Sequence, residues 1–291
     1  MLIKGFGCFA SKNGVAGKII FLKNLLGDPE IPLSGSELYN ITKEVLKMSG
    51  IQSCFKRYEK KYLLNYDQYM AVKKGMAPYM TADRFSNYTI CNIYYDTPTW
   101  DLIRTSLEKP VYKEKLRVRS YGPVSHSDNV FIEIKKKYDG VVYKRRVTMR
   151  AIEAERFLKG AKPKDESQIH REIEYFMDLY KPEPKVFIGY DREAYAGKEN
   201  SELRITFDTN LRYREHDVDL RAGDHGRLLL PEDTILMEIK IPGTAPLFLA
   251  DLLSENNITS TSFSKYGTYY KNVVLGGIRG KEYKEEVFRI A

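Results

Sequence analysis

The sequence contains few cysteines, and they form no recognisable pattern. Among 291 residues there are three, Cys8, Cys54 and Cys91. An odd number of widely spaced cysteines argues against a disulfide framework and against a CxxC metal knuckle. Such cysteine usage is typical of a reducing compartment, so a cytoplasmic location is expected.

Long hydrophobic runs are also missing. The longest apolar stretch near the N-terminus, residues 19–22, ends at Lys23, whereas a helix that crosses a bilayer needs about 20 apolar residues. No cleavable signal is recognisable at the N-terminus. We therefore predict a chain without a membrane-spanning segment.

Several common binding motifs are absent as well. Residues 14–18 do not match the G-x-x-x-x-G-K-[ST] loop, so any ATP would be held in another way. The four histidines lack metal-ligand spacing, and no nucleic-acid-binding motif is found. The chain nevertheless carries 47 Lys and Arg against 39 Asp and Glu, a formal net charge of +8. This excess predicts an anionic partner, and nucleic acid is not expected to be that partner.

Composition divides the chain into three segments. Residues 1–50 are interrupted by Gly, Pro and Ser and contain one helical pattern, over 37–48, which the capping-box spacing of Ser34 and Glu37 precedes. We interpret them as an N-terminal extension. Residues 55–275 have the regular patterns of a folded domain, and residues 276–291 form a C-terminal tail.

Alternation of apolar and polar residues predicts strands through most of the central segment. The predicted strands cover 55–64, 89–95, 113–121, 130–136, 141–149, 185–195, 202–210 and 234–241. Apolar residues three and four apart predict helices over 67–76, 152–158, 167–179 and 246–256, with a last helix after Ser264. The predicted fold class is α+β: an antiparallel β-barrel flanked by helices.

Cations recur on one face of the predicted strands. Residues two apart share a face of a strand, so Lys115, Arg117 and Arg119 lie together, opposite Leu116 and Val118. A sheet with one face in water would explain simple alternation. Here Lys and Arg recur at matched positions of several strands with few carboxylates, which favours a closed barrel with a charged interior.

A basic interior is unfavourable without a ligand. Two cations about 5 Å apart repel by roughly 3 kcal/mol at an effective dielectric constant near 20. A chain of phosphates would relieve this repulsion, because each unit carries negative charge and no base needs room. Arg offers bidentate contacts to phosphate, and Lys offers a mobile point charge. The pattern predicts a tunnel for inorganic polyphosphate or triphosphate.

Short motifs follow one another in a distinctive order between residues 55 and 275. They are RYEKKY at 57–62, YYDT at 94–97, LRVRSYG at 116–122, IEIK at 132–135, YDR at 190–192, LRITFD at 203–208, EIK at 238–240 and SKY at 264–266. In order and spacing they resemble the VTC domain. This is the catalytic domain of polyphosphate polymerases, within the triphosphate tunnel metalloenzyme (CYTH-like) superfamily.

The resemblance implies a phosphotransferase that moves the γ-phosphate of ATP onto a growing polyphosphate chain. It implies that Glu238 holds a divalent metal, Mn²⁺ or Mg²⁺, which bridges to the triphosphate. Catalytic contacts to phosphate are expected from Lys61, Arg117, Arg119, Lys135, Arg192, Arg204 and Lys265. Further contacts to substrate are expected from Glu59, Lys115, Lys144, Arg146 and Ser264.

One position departs from the hydrolase and cyclase branches of that superfamily. Their first strand carries E-x-E-x-K, whereas Arg57 occupies the first of these positions here, and Glu59 alone precedes Lys61. Loss of a carboxylate favours a phosphate channel over a two-metal triphosphatase. Two alternatives stay open: a tripolyphosphate or nucleoside triphosphate hydrolase of the same fold, and a non-catalytic polyphosphate-binding module.

Overall fold

One antiparallel sheet organises the residues that the structure, a computed structural model, describes: 57–139, 141–164 and 166–276. Its nine strands are β1 (Arg57–Leu64), β2 (Met80–Asp96), β3 (Tyr112–Tyr121), β4 (Asn129–Tyr138), β5 (Val141–Arg150), β6 (Glu183–Gly197), β7 (Arg204–Arg214), β8 (Arg227–Leu228) and β9 (Ile235–Pro242). Their order is β1-β9-β7-β6-β2-β3-β4-β5, with β8 paired to β7.

The hydrogen-bonded ladder of this sheet is open. β1 and β5 are its two ends, and they do not pair with each other within the described residues. The predicted α+β fold, an antiparallel barrel flanked by helices, is confirmed, although the hydrogen bonds between described strands leave the curled sheet open. Part of the β1 edge is covered instead by the segment before the last helix, where the Thr261 N–H donates to the Lys61 carbonyl at 2.7 Å.

Helices cover the outer face of the sheet in two groups. Phe157 and Phe176 of one group pack on Leu116 and Ile132, and Val72 belongs to a second core around β1, β7 and β9. Burying each such side chain contributes about 1.5–3 kcal/mol. The α-helices in the described residues are α1 (Tyr66–Met76), α2 (Asp101–Leu107), α3 (Ala151–Leu158), α4 (Gln168–Tyr180), α5 (Leu247–Glu255) and α6 (Lys265–Tyr269).

The C-terminal helix α6 differs from the others because it lies on the concave face. Tyr94, directly opposite Arg117 in the register of β2 and β3, stacks on Tyr266 with ring centroids 4.7 Å apart. Trp100 packs against the rings of the same region, 6.0 Å from Tyr269. A π-helical turn, Tyr270–Leu275, continues α6. Apolar side chains therefore fill part of the concave face.

Most predicted elements are confirmed. All eight predicted strands are present, as are the helices that correspond to α1, α3, α4, α5 and α6. The sequence patterns missed α2, the two-residue β8 and a 3₁₀ turn at Leu220–Ala222, which are too short to show periodicity. The predicted helix at 37–48 and its cap lie outside the described residues. In the part of the chain that is described, none of the helices is both long and apolar enough to cross a membrane.

Candidate functional site

The concave face of the sheet brings distant strands close together. In a flat sheet with strands about 4.8 Å apart, Lys135 of β4 and Lys61 of β1 would be roughly 29 Å apart. Burial lowers the pKa of Lys135, and the charges of Glu59 and Lys61 act on it as well. These influences on Lys135 are consistent with a strongly curled sheet, in which β1 and β4 approach each other across the concave face to form a tunnel.

Two carboxylates on β7 and β9 hold three cations inside this tunnel. Arg192 binds Asp208 through Nε and Nη2 at 2.5 and 2.7 Å, and its Nη2 reaches Glu238 at 3.2 Å. Lys265 Nζ lies 2.6 Å from Asp208 and 3.1 Å from Glu238, and Lys61 Nζ lies 3.3 Å from Glu238. Burial alone would raise the pKa of Glu238, but Lys265, Lys61 and Arg192 outweigh it and lower that pKa well below its usual range.

A second cluster forms around Glu133 of β4. Arg117 reaches its Oε2 through Nη2 at 2.6 Å, and Lys144 Nζ lies 2.9 Å from its Oε1. Arg119 is 3.9 Å away and donates to Asn92 Oδ1 at 3.1 Å. Burial would raise the pKa of Glu133, yet Arg117, Arg119 and Lys144 together lower it to about 2. This carboxylate is therefore ionised and shared by three cations.

Other cations in the tunnel have no such partner. Within the described residues, no carboxylate lies within ion-pair distance of Lys115, Lys135, Arg146 or Lys240. Burial, together with Lys113, Lys135 and Lys61, lowers the pKa of Lys115 to about 8. Burial also lowers the pKa of Lys240. Positive charge on this surface is thus left available for an anion.

Most of the predicted site residues are collected on the concave face, and a few lie at its margins. Arg204 pairs with Asp83 of β2. Arg146 lies over the Phe131 ring, 4.8 Å from its centroid. Ser264 precedes Lys265 and caps α6, because its Oγ accepts from the Gly267 N–H at 3.2 Å. Glu59 is exposed and lies 3.6 Å from Lys61 Nζ.

Four residues of the site were missed by the sequence analysis. Strand alternation could have placed two of them on the charged face. Lys240 follows Glu238 by two residues, and Asp208 follows Arg204 by four. Nothing in the sequence marks Asn92, which is fully buried and donates to the Ile188 carbonyl at 3.0 Å. Tyr190 belongs to the YDR motif at 190–192, but that motif gave it no role in the site; its ring lies 4.3 Å from Lys265 Nζ and 5.3 Å from the Arg192 guanidinium carbon.

A curled antiparallel sheet with a cationic concave face and helices on its outside defines a tunnel protein with a basic interior. The chain belongs to the VTC domain family, whose model matches residues 56–274. The family resemblance predicted from the short motifs is therefore confirmed.

Similar proteins include vacuolar transporter chaperone complex subunit 4 of Schizosaccharomyces pombe, which is 27% identical over 161 residues. That match covers 47% of this chain and 22% of the yeast protein, so the two correspond over only part of their lengths. Among solved structures, a Bacillus halodurans protein provisionally described as an adenylate cyclase has a TM-score of 0.45, with 11% identity over 71% of this chain and 92% of that chain. A Hippeastrum protein described as having a dominant triphosphatase activity has a TM-score of 0.44 and is 14% identical. The match covers 74% of this chain and 95% of that chain.

Proposed function

We propose that the tunnel binds inorganic polyphosphate and transfers the γ-phosphoryl group of ATP to the end of that chain. The proposal rests on the cations that have no carboxylate partner among the described residues, Lys115, Lys135, Arg146 and Lys240, beside the two ion-paired clusters. An extended anion with one charge per unit suits such a surface better than a compact anion does. Membership of the VTC family and the likeness to a subunit of the vacuolar transporter chaperone complex support the same reading.

For this reaction the protein has mainly to position the two phosphate chains and to neutralise charge on the transferred group. A terminal oxygen of polyphosphate forms a bond to the γ-phosphorus of ATP, and the bond from that phosphorus to the β–γ bridging oxygen breaks, so that ADP leaves. The attacking oxygen is already anionic, and no general base is needed. Arg117, Arg192 and Lys265 can neutralise charge on the transferred group, which is the main form of catalysis in phosphoryl transfer.

Glu238 is the residue proposed to contact a divalent metal. Both of its oxygens lie near cations, and the described residues contain no group of three or more His, Cys, Asp or Glu side chains placed to hold a metal. A single carboxylate suffices when phosphates supply most of the ligands, as is usual for Mg²⁺. A Mn²⁺ or Mg²⁺ ion that arrives with the triphosphate would have to take the place of one of the cations on Glu238, and it would help to neutralise the charge of the phosphates.

Incubation of the purified protein with ATP and Mn²⁺ tests the proposed activity, with polymer followed by gel staining and free phosphate measured in parallel. We expect long polymer and ADP. Lys135→Ala should reduce polymer synthesis by at least about tenfold, because it removes an unpaired tunnel charge. Lys136→Ala is the matched control, since Lys136 is on the outer face of the same strand and pairs with Glu172 at 3.6 Å.

The other outcomes of this assay select the alternatives. Free phosphate without polymer would replace the polymerase with a hydrolase of the same fold. Neither product, together with tight binding of tripolyphosphate, would indicate a polyphosphate-binding module without catalysis.

The metal contact is tested by Glu238→Gln, which keeps the size of the side chain but removes its charge. We expect metal-dependent turnover to be lost, while tripolyphosphate still binds when Mn²⁺ is absent. Calorimetry with and without Mn²⁺ measures the second part. Full Mn²⁺-dependent turnover in Glu238→Gln would exclude Glu238 as the metal contact.

A further inference from the structure

Asp96 and Tyr266 form a buried contact next to the tunnel that the proposed chemistry does not use. The Tyr266 hydroxyl donates to Asp96 Oδ2 at 2.8 Å. Asp96 is fully buried at the end of β2, and Tyr266 is 2% exposed. A buried carboxylate is unfavourable unless it accepts several hydrogen bonds. The donors around Asp96 are therefore expected to have a structural role.

The backbone amide of Thr97 and two backbone amides of α2 supply the other donors to Asp96. The N–H groups of Thr97 and Leu102 donate to its Oδ1 at 2.8 and 2.9 Å, and that of Ile103 donates to its Oδ2 at 3.0 Å. One carboxylate therefore joins the end of β2, the start of α2 and the side chain of Tyr266 on α6.

The residue before Tyr266 enters the tunnel from the same helix. Lys265 reaches Asp208 and Glu238, on β7 and β9, at 2.6 and 3.1 Å. Two consecutive residues of α6, Lys265 and Tyr266, thus contact carboxylates on different strands. In the sheet, the strand β2 of Asp96 lies two places from β7 and three places from β9. α6 has five residues and the π-helical turn that continues it has six, and a helical segment this short depends on tertiary contacts for its position.

We infer that Asp96 and Tyr266 are positioning residues, which set the depth at which Lys265 enters the phosphate tunnel. This inference rests on the proposed function, since it assumes that Lys265 contacts phosphate. Without the hydroxyl contact, the position of α6 is set mainly by the ion pairs of Lys265 with Asp208 and Glu238. The ammonium group of Lys265 then contacts the phosphate less often in the productive geometry.

Tyr266→Phe is the direct test, because it removes one hydroxyl and retains the ring that stacks on Tyr94. We expect calorimetry to show tripolyphosphate binding weakened by about tenfold, equal to about 1.4 kcal/mol. Tyr269→Phe is the matched control: the Tyr269 hydroxyl donates to Glu215 Oε1 at 2.9 Å from the same helix, away from Lys265. The control should bind tripolyphosphate within about twofold of the unchanged protein.

A double-mutant cycle separates positioning from general loosening of the fold. In a Lys265→Met background, Tyr266→Phe should cause no further loss of affinity, because the side chain through which it acts is gone. Equal weakening by Tyr266→Phe and Tyr269→Phe would overturn the inference. So would an effect of Tyr266→Phe that is undiminished in the Lys265→Met background.

A second measurement needs no phosphate ligand and keeps the inference separate from the proposed function. Acylation of lysines by a mild amine reagent, mapped by mass spectrometry, reports how accessible Lys265 is. We expect its acylation rate to rise several-fold in Tyr266→Phe and to stay unchanged in Tyr269→Phe. If the unchanged protein does not bind tripolyphosphate, the proposed function fails, and the acylation result alone decides whether Tyr266 positions Lys265.

Discussion

Lys115 carries a charge that no carboxylate neutralises within the described part of the chain. Its pKa of about 8 means that this side chain loses its proton in the mildly alkaline range, whereas a bound phosphate would favour the protonated form. Affinity for tripolyphosphate should therefore fall by about tenfold from pH 7 to pH 9 through this group. Calorimetry at several pH values measures the fall.

Lys115→Arg supplies the control for this pH dependence. Arginine stays charged throughout the range, so the variant retains only the dependence that comes from the ligand and from other residues. If the unchanged protein and the variant gave parallel pH profiles, Lys115 would not be the titrating group.

Glu133 illustrates the opposite situation, a carboxylate that is needed when the tunnel is empty. It is 1% exposed and shared by Arg117, Arg119 and Lys144. Glu133→Gln should lower the free energy of unfolding by about 3 kcal/mol, because the cations lose their partner. Added tripolyphosphate should restore more stability in this variant than in the unchanged protein.

Thermal melts with and without tripolyphosphate measure both effects, and Glu172→Gln is the control on the outer surface. Since the folded protein lowers the pKa of Glu133 to about 2, its stabilising contribution is present at neutral pH and is lost as the pH falls through the acid range toward 2. A variant as stable as the unchanged protein at pH 7 would refute this role.

Single residues also show how far the sequence can predict the site. Strand periodicity correctly placed Lys115, Arg117 and Arg119 on one face, because alternation is a local property of the backbone. It could not show that Glu133 would be shared by cations of the two neighbouring strands, because strand order and register are not local properties. Nor could it show that Glu238 would be shared by cations from β1, β6 and α6. For the same reason Asn92 carried no signal.

At the scale of elements, the Arg214 side chain makes several of the contacts that hold the loop between β7 and β8. The Arg214 guanidinium donates to the carbonyls of Asp217, Asp219 and His225 at 3.2, 3.0 and 2.7 Å, and it lies over the Phe187 ring. Lysine cannot reproduce this planar set of donors. Arg214→Lys should cost about 2–4 kcal/mol of stability and speed amide hydrogen exchange in residues 215–226.

Tripolyphosphate affinity should not change in Arg214→Lys, because this loop supplies no residue of the tunnel clusters. Hydrogen exchange followed by mass spectrometry provides the measurement. Arg227→Lys, a change at an exposed arginine, is the control. Unchanged exchange in Arg214→Lys would contradict a role of the Arg214 guanidinium in holding this loop.

The failure of the sequence patterns to predict α2 also has a physical explanation. Its seven residues are too few for a helical period, and Trp100 at its start adopts a left-handed φ of 64°, which no sequence rule predicts for tryptophan. The helix forms because Asp96 binds its first amides. Its existence therefore depends on a tertiary arrangement, in contrast to α1, where Asn65 and Gln68 cap each other locally at 2.8 and 3.2 Å.

For the whole molecule, tunnel cations that have no carboxylate partner in the described part of the chain should make the empty protein less stable than the filled one. A ligand that binds only the folded state at a hundredfold excess over its Kd adds about 2.7 kcal/mol. For a domain of this size that corresponds to a rise in Tm of about 5–10 °C. Tripolyphosphate should produce this rise and monophosphate should not, because only the longer anion reaches several unpaired cations at once.

Differential scanning calorimetry with each anion at equal ionic strength checks this expectation, and the rise should diminish as salt screens the charges. Equal shifts with tripolyphosphate and monophosphate would contradict an extended phosphate channel. The response would then reflect a single anion site.

Trp100 is the one tryptophan of the sequence, and its ring lies 6.4, 6.0 and 5.7 Å from those of Tyr266, Tyr269 and Tyr270. The ammonium group of Lys185 lies 4.8 Å from the centroid of the same ring. The emission of this indole, excited selectively at long wavelength, therefore reports on the surroundings of the helix that carries Lys265. The unmodified protein therefore contains its own optical reporter beside the helix that carries Lys265, and ligand titrations need no attached dye.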